Sequence, residues 1–524
     1  MLYYIYGLFE VIIVKKIVKI ITSKICVGAL LLLFQLGLFY MGFYAVNEYS
    51  MFVSGGTKIL GIIGILYILN RDMDSGIKMS WILLIAIMPV FGVCLYFYIR
   101  MDFASGKIKN KLRTIHDATT YLNENDDYEL IKLNNENLPD IGTFNYLNNS
   151  GDYLPYTNTF VKYIPIGDEA LPLIVDELRK ATKFIFIEFF IINDKSRMWN
   201  EVYKVLCEKI HEGVEVRVLY DGMGSLTTTS RGFKDKLRRH GIKCHTFSPI
   251  KPFLSSYQNN RDHRKIIVID GKTAFSGGIN LADEYINERK LYGHWKDNSI
   301  MLKGDAVKSF TIMFLRMWDV VEGENNYEKY TSERNFEYRS YDDGHVAPFD
   351  DSPFRNERIG KYVYSDIINT ATKYIYIMTP YLVLDSEILN ALKFASKRGV
   401  DVKIVMPHIP DKWFAFAVAR TYYPELIESG VELYEYTHGF IHSKTTLSDD
   451  IRGVVGTINY DYRSLYHNYE CAVYLYANSS LEDIKADFDE TIKKSRKFTI
   501  DDYYRSSLLM RFVGRILRVF GPLM

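Results

Sequence analysis

Two stretches of this 524-residue chain carry the same chemically capable residues at the same spacing. The first is "HRKIIVIDGKTAFSGGIN", residues 263 to 280; the second is "HSKTTLSDDIRGVVGTIN", residues 442 to 459. Histidine and lysine lie two residues apart in each copy, as His263 and Lys265 and as His442 and Lys444. An aspartate follows each histidine by seven residues (Asp270, Asp449) and an asparagine by seventeen (Asn280, Asn459). A glycine and a small residue precede each asparagine: Gly277 and Gly278, then Gly456 and Thr457. From 11 histidines, about 0.16 matches to the charge pattern are expected by chance. Two matches, each continued by the same glycine and asparagine, form a strong signal.

Residues two apart on a strand share a face, so each histidine points the same way as its lysine. The aspartates have the opposite parity, and Asp270-Gly271 is a hairpin-turn dipeptide. They are therefore expected to hold a turn and seat the motif, although they complete the candidate catalytic set of His263, Lys265, Asp270, His442, Lys444 and Asp449.

The set suits phosphodiester exchange. One neutral imidazole attacks phosphorus and becomes covalently attached, while the other, protonated, donates to the leaving alkoxide. Lysines, with Asn280 and Asn459 as candidate substrate-binding residues, donate to the non-bridging oxygens where charge builds up. A histidine pKa near 6.5 allows both protonation states around neutrality. The lysines supply the positive charge, so no metal or other cofactor is expected. A nucleophilic histidine also needs a group that fixes its tautomer. A carboxylate precedes a later strand in each copy, Asp297 in "HWKDNSIMLK" and Glu470 in "HNYECAVYLY". One should orient one histidine and the other the second.

The elements that position these residues are also written twice. "ATKFIFIEFF" (181 to 190) is matched by "ATKYIYIMTP" (371 to 380), and "EGVEVRVLYDG" (212 to 222) by "RGVDVKIVMPH" (398 to 408). A helical pattern separates the strands in both copies. Strand, helix, strand predicts a parallel sheet with crossover helices, and so two similar α/β halves.

The remaining sequence points to a membrane. Residues 27–46 and 81–99 carry no charge and are long enough to cross about 30 Å of hydrocarbon, with a kink expected at Pro89. A third segment, 51–69, has to include Lys58 to reach that length. Basic residues flank the anchor on both sides, among them Lys15, Lys16 and Lys19 before it and Lys107, Lys109 and Arg113 after it. Both flanks are cytoplasmic only if the number of crossings is even, so two crossings and a cytoplasmic body are expected. Residues 100–157 are polar and read as a linker or loose subdomain. The C-terminal segment 501–524 spaces its apolar residues as a helix does, which suits either an interfacial helix or one docked on the body. The net charge of +1 gives no general attraction to nucleic acid. The five scattered cysteines read as free thiols.

Paired H-x-K-x4-D motifs, each continued by Gly-small-x-Asn, resemble the phospholipase D superfamily. "GFIHSKT", "VGTINYDYRSLYHNYE", the 263–285 stretch, the helical anchor and the ending "RFVGRILRVFGPLM" are similar to the bacterial cardiolipin synthases. The extra N-terminal span departs from that family's commoner two-span pattern, and Lys296 stands where an arginine is expected. The resemblance implies two phospholipase D-like halves, 158–330 and 355–500, sharing one active site behind a membrane anchor over 1–99. It further implies a phosphatidyltransferase of the cell membrane. One phosphatidylglycerol would lose glycerol to form a phosphatidyl-histidine, and a second would attack to give cardiolipin. By analogy with the superfamily, His263 would be the nucleophile and His442 the acid and base. The residues alone leave the acceptor open: water would make a hydrolase, and another alcohol a different phosphatidyltransferase. A non-enzymatic lipid-binding protein would have no use for a nucleophile. The sequence carries no indication of oligomeric state.

Overall fold

The computed structural model describes residues 24–44, 48–100, 103–123, 128–136, 138–249, 259–323, 326–331, 343–355 and 357–523. These divide into two compact units, a mainly helical one made from the residues up to Asn110 with 248–260 and Leu523, and a larger α/β body made from 111–247 and 261–522.

The helical unit contains Lys24–Tyr44, Glu48–Leu69, Ser75–Ile87 and Pro89–Arg100. The segment that is weakest in the sequence, 51–69, lies in the 22-residue helix Glu48–Leu69. Its stretch Phe52–Leu69 is the one described helix long and apolar enough to cross a membrane. The stretch 81–99 is interrupted at the expected kink into two consecutive helices, because Pro89 has no N–H and breaks the ladder. The new helix start would leave backbone donors unpaired in apolar surroundings. Gln35, buried on the first helix, accepts from the N–H groups of Val90 and Phe91 at 3.0 and 3.2 Å. Ile68, Trp81, Ile85, Val93 and Tyr96 form the unit's small core.

Each half of the body is one sheet with helices against it. The first sheet runs Thr159–Ile164, Ser299–Gly304, Thr273–Gly277, Lys265–Ile269, Phe184–Phe189, Glu215–Asp221 and Lys243–Phe247. The second runs Ser495–Phe498, Glu432–Tyr436, Asp401–Pro407, Tyr374–Met378, Thr445–Ser448, Arg452–Gly456, Glu470–Tyr476 and His345–Asp351. The repeated strands are parallel, as the sequence pattern requires, and Arg197–His211 and Ser386–Lys397 are their crossover helices. The motif strands lie antiparallel beside them, so the sheets are mixed rather than wholly parallel. Lys265–Ile269 is central and fully buried, which explains its unbroken apolar run.

The polar stretch expected to be a linker is more ordered than its composition suggests. The helix Ile141–Gly151 buries Phe144 and Leu147, and Asp140 just before it pairs with Arg452 at 2.6 Å. Cys94, Cys207, Cys244 and Cys471 are free thiols.

Candidate active site

The two motif turns are built alike. Asp270 and Gly271 have φ of +53° and +66°, and Asp449 and Asp450 have +58° and +61°. Positive φ at both central positions suits a tight hairpin, which aspartate and glycine tolerate. Asp270 accepts from the N–H groups of Thr182, Lys183 and Phe184 at 2.7 to 2.8 Å, and from the Thr182 hydroxyl. Asp449 does the same for Thr372, Lys373 and Tyr374. Both carboxylates thus clamp the start of the neighbouring strand, at the far end of their own strand from the histidine. These contacts are those of the turn-holding, motif-seating groups that the strand parity of Asp270 and Asp449 leads one to expect.

The histidines sit just before their strands, where the two halves meet. The N–H of His263 donates to the carbonyl of Tyr469 at 2.9 Å, and Asp262 forms a parallel bridge with Tyr469. In the other half Gly439–Ile441 pairs in parallel with His294–Lys296, and the N–H of His442 donates to the carbonyl of Lys296 at 2.7 Å. The residue before each histidine therefore lies opposite the residue before a carboxylate of the other half. This register crosses the partners. His263 Nδ1 meets Glu470 Oε2 at 2.8 Å, and His442 Nδ1 meets Asp297 Oδ2 at 2.6 Å. Both histidines and both carboxylates are buried. With Nδ1–H donating to the carboxylate, Nε2 of each ring is left as the reactive nitrogen.

Lys265 Nζ donates to the carbonyl of His263 at 2.6 Å. Lys444 Nζ donates to the carbonyl of His442 and lies 2.9 Å from its Nδ1. Burial holds both imidazoles well below their ordinary range, and the two ammonium groups push the same way. Burial also lowers Lys265 to about 8 and Lys444 to about 7. It raises Asp297 and Glu470 to about 7 each. The site therefore has several groups poised to exchange protons near neutrality, and an arriving phosphodiester would favour the protonated lysines and histidine.

The asparagines differ. Asn280 is engaged, its Oδ1 accepting from the N–H of Ile191 at 3.0 Å and its Nδ2 donating to the Tyr285 hydroxyl at 2.7 Å. Asn459 faces a cavity of about 310 Å³ that His263 also lines. The same cavity is lined by Lys412, Asp461 and Arg463, which the repeated pattern did not single out: Lys412 precedes the helix Trp413–Arg420, Asp461 ends the short strand Tyr460–Asp461, and Arg463 opens the helical turn Arg463–His467. The small residue of each motif has a defined use. A Cβ on Gly278 would meet Asp297 Oδ1 at 2.0 Å, so only glycine admits that carboxylate. At the matching position Thr457 instead donates its hydroxyl to Glu470, which also accepts from Asn468 at 3.1 Å. Lys296, the departure from arginine, pairs with Asp487 of the second half at 2.7 Å.

The described residues contain no group of three or more His, Cys, Asp or Glu able to hold a metal ion. The buried lysines already supply positive charge beside both imidazoles.

A family model described as "Cardiolipin synthase, PLD-like domain" matches residues 174–318 and again 364–492, and a phospholipase D-nuclease N-terminal model matches 59–100. An uncharacterized protein of Streptococcus mutans is 45% identical over 460 residues, covering 88% of this chain and 99% of that one. Cardiolipin synthase 2 of Bacillus anthracis is 32% identical over 464 residues, 88% of this chain and 89% of that one. The crystal structure of phosphatidylserine synthase from Haemophilus influenzae superposes with a TM-score of 0.53 at 16% identity, covering 73% of this chain and 97% of that one, which bears on fold alone. Two motif-bearing halves, each matched by the same domain model, and relatives aligned over most of their length place this chain in the phospholipase D-type cardiolipin synthase family.

Proposed function

We propose that the protein makes cardiolipin by moving a phosphatidyl group from one phosphatidylglycerol to another, with glycerol as the second product. The observation that carries this reading is the crossed pair of buried histidine–carboxylate contacts with a lysine beside each ring.

Nε2 of neutral His263 attacks the donor's phosphorus, and the bond from phosphorus to the glycerol oxygen breaks. Protonated His442 gives its proton to that oxygen. The neutral His442 then takes the proton from the free hydroxyl of a second phosphatidylglycerol. That oxygen attacks the phosphohistidine, the N–P bond breaks, and His263 regains its lone pair. Lys265 and Lys444 face the charge on the non-bridging oxygens, and Asn459 at the cavity wall is placed to donate there. His263 is assigned the attack because it lines the cavity, whereas the rings of Tyr285, Trp295 and Phe440 surround His442.

The same reading puts the body on the cytoplasmic face of a membrane that the anchor crosses an even number of times, given the basic flanks. The chemistry is tested by supplying headgroup-labelled and acyl-labelled phosphatidylglycerol to the purified chain. Acyl label in cardiolipin with labelled glycerol released is the expected result. Phosphatidic acid as the main product would make the enzyme a hydrolase instead.

A further inference from the structure

The C-terminal helix Leu508–Phe520 is attached to the body through a glycine and an arginine and leaves much of its apolar surface uncovered. Gly514 is its one buried residue, and a Cβ there would meet the carbonyl oxygen of Ala417 at 2.4 Å. Arg518 reaches the same surface, donating to the Thr421 carbonyl at 3.2 Å and to Glu425 at 2.8 Å, and its guanidinium lies over the Tyr422 ring. Met510, Val513 and Leu517 are half-buried, but the larger part of the apolar surface points away. Leu508 is 74% exposed, Leu509 70%, Phe512 64% and Ile516 47%. A helix docked for stability would bury these and expose its arginines.

The outward face adjoins the catalytic cavity. The helix packs on Trp413–Arg420, whose first two residues, Trp413 and Phe414, are also exposed. Phe414 lines the cavity beside His263, as do Lys412 before it and Gly521, which ends the C-terminal helix. The exposed Trp413 thus stands in the chain between Lys412 and Phe414, which line the cavity together with His263. The helix has no acidic residue and carries Arg511, Arg515 and Arg518.

We infer that the face formed by the Leu508–Phe520 helix with Trp413 and Phe414 lies in the headgroup region of an anionic bilayer. There it brings the mouth of the His263 cavity to the lipid surface. Leucines and phenylalanine enter the acyl boundary, tryptophan sits at the interface, and the exposed Arg515 meets anionic headgroups, Arg518 being held on the body. A headgroup can then reach the histidine while its acyl chains stay in the bilayer. The docking does not depend on which alcohol receives the phosphatidyl group, so it can fail or stand separately from the proposed synthesis.

The test uses the full chain reconstituted in phosphatidylglycerol–phosphatidylcholine vesicles whose acyl chains carry bromine. Subtracting the emission of a Trp413→Phe variant isolates Trp413. Quenching by bromolipid with protection from aqueous iodide is expected. A Leu509→Glu, Phe512→Glu variant should lose that protection and turn over vesicle lipid about tenfold more slowly. Its rate on dihexanoyl phosphatidylglycerol in detergent should stay within about twofold of wild type, which also reports a folded site. If the variant fails on both substrates, the quenching of the unaltered chain alone decides. Trp413 open to iodide and untouched by bromolipid overturns the inference. Protection from both quenchers, in particles of two chains that the double variant separates, gives the face to a second copy and overturns it too.

Discussion

The two halves of the body share their scaffold and differ in their chemistry. Asp270 and Asp449 clamp their neighbouring strands through the same three backbone donors and one threonine hydroxyl. Around the histidines the likeness ends. Glu470 is tied by Thr457 and Asn468, whereas Asp297 is admitted by a glycine and accepts from the N–H of Asn298 at 2.9 Å. His263 looks into the cavity with the edge of Phe190 beside it, while three aromatic rings surround His442. The two imidazoles hold equal places in their motifs and lie in unequal surroundings, and on that difference the proposed division of roles rests.

The largest expected effect breaks the symmetry outright. His263→Ala and His442→Ala should each lose about 10⁴-fold or more in turnover. With radiolabelled lipid and an acid-free quench, His263→Ala should hold no label, and His442→Ala should gain label slowly and keep it. Label on His263→Ala but not on His442→Ala would exchange the roles.

The carboxylates should fail across the halves, each with the histidine it touches. Glu470→Gln should slow adduct formation as loss of His263 does, and Asp297→Asn should slow release and transfer as loss of His442 does. Each should cost roughly 100-fold in kcat with KM nearly unchanged. Pre-steady-state labelling separates the steps, and defects that follow the sequence halves instead would contradict the crossed contacts.

The pH profile is a finer comparison. Deprotonation removes positive charge, so kcat/KM should fall above about 7 to 8 as Lys444, near 7, and Lys265, near 8, lose their protons. It should also fall below about 7, where Asp297 and Glu470 take up protons and cease to accept from the imidazoles. Lys444→Arg should extend the alkaline limb further than Lys265→Arg, because the first lysine is the more easily discharged. An alkaline limb unmoved by either would assign it to another group.

The smallest effect on chemistry is expected at the clamps. Asp270→Ala should lower stability by about 2 kcal/mol and Asp449→Ala by less, because Asp270 is the more buried. Denaturant melts measure this, and kcat at low temperature should remain near wild type.

The sequence exposed the motif residues because a strand fixes their spacing locally, and it exposed the halves because their strands repeat. It paired Asp297 and Glu470 with the two histidines but left open which went with which. That depends on Ile441 lying opposite Lys296, and Asp262 opposite Tyr469, a register between distant segments that no local pattern records. Lys412 and Arg463 stayed hidden because neither repeats. In the anchor, charge-free length favoured 81–99 over 51–69. Pro89 and its rescue by Gln35 reverse that order within the described helices. The C-terminal periodicity was visible, but not that Gly514 and Arg518 would hold the helix with its leucines outward.

The crossed contacts also set when the enzyme becomes active during its own synthesis. His263 waits for Glu470, 207 residues later, and Asp297 waits 145 residues for His442. A nascent chain with only its first half folded has no carboxylate for Nδ1 of His263 and lacks the second histidine. Fragments from interrupted translation that end before His442 and Glu470 are therefore expected to leave lipid intact.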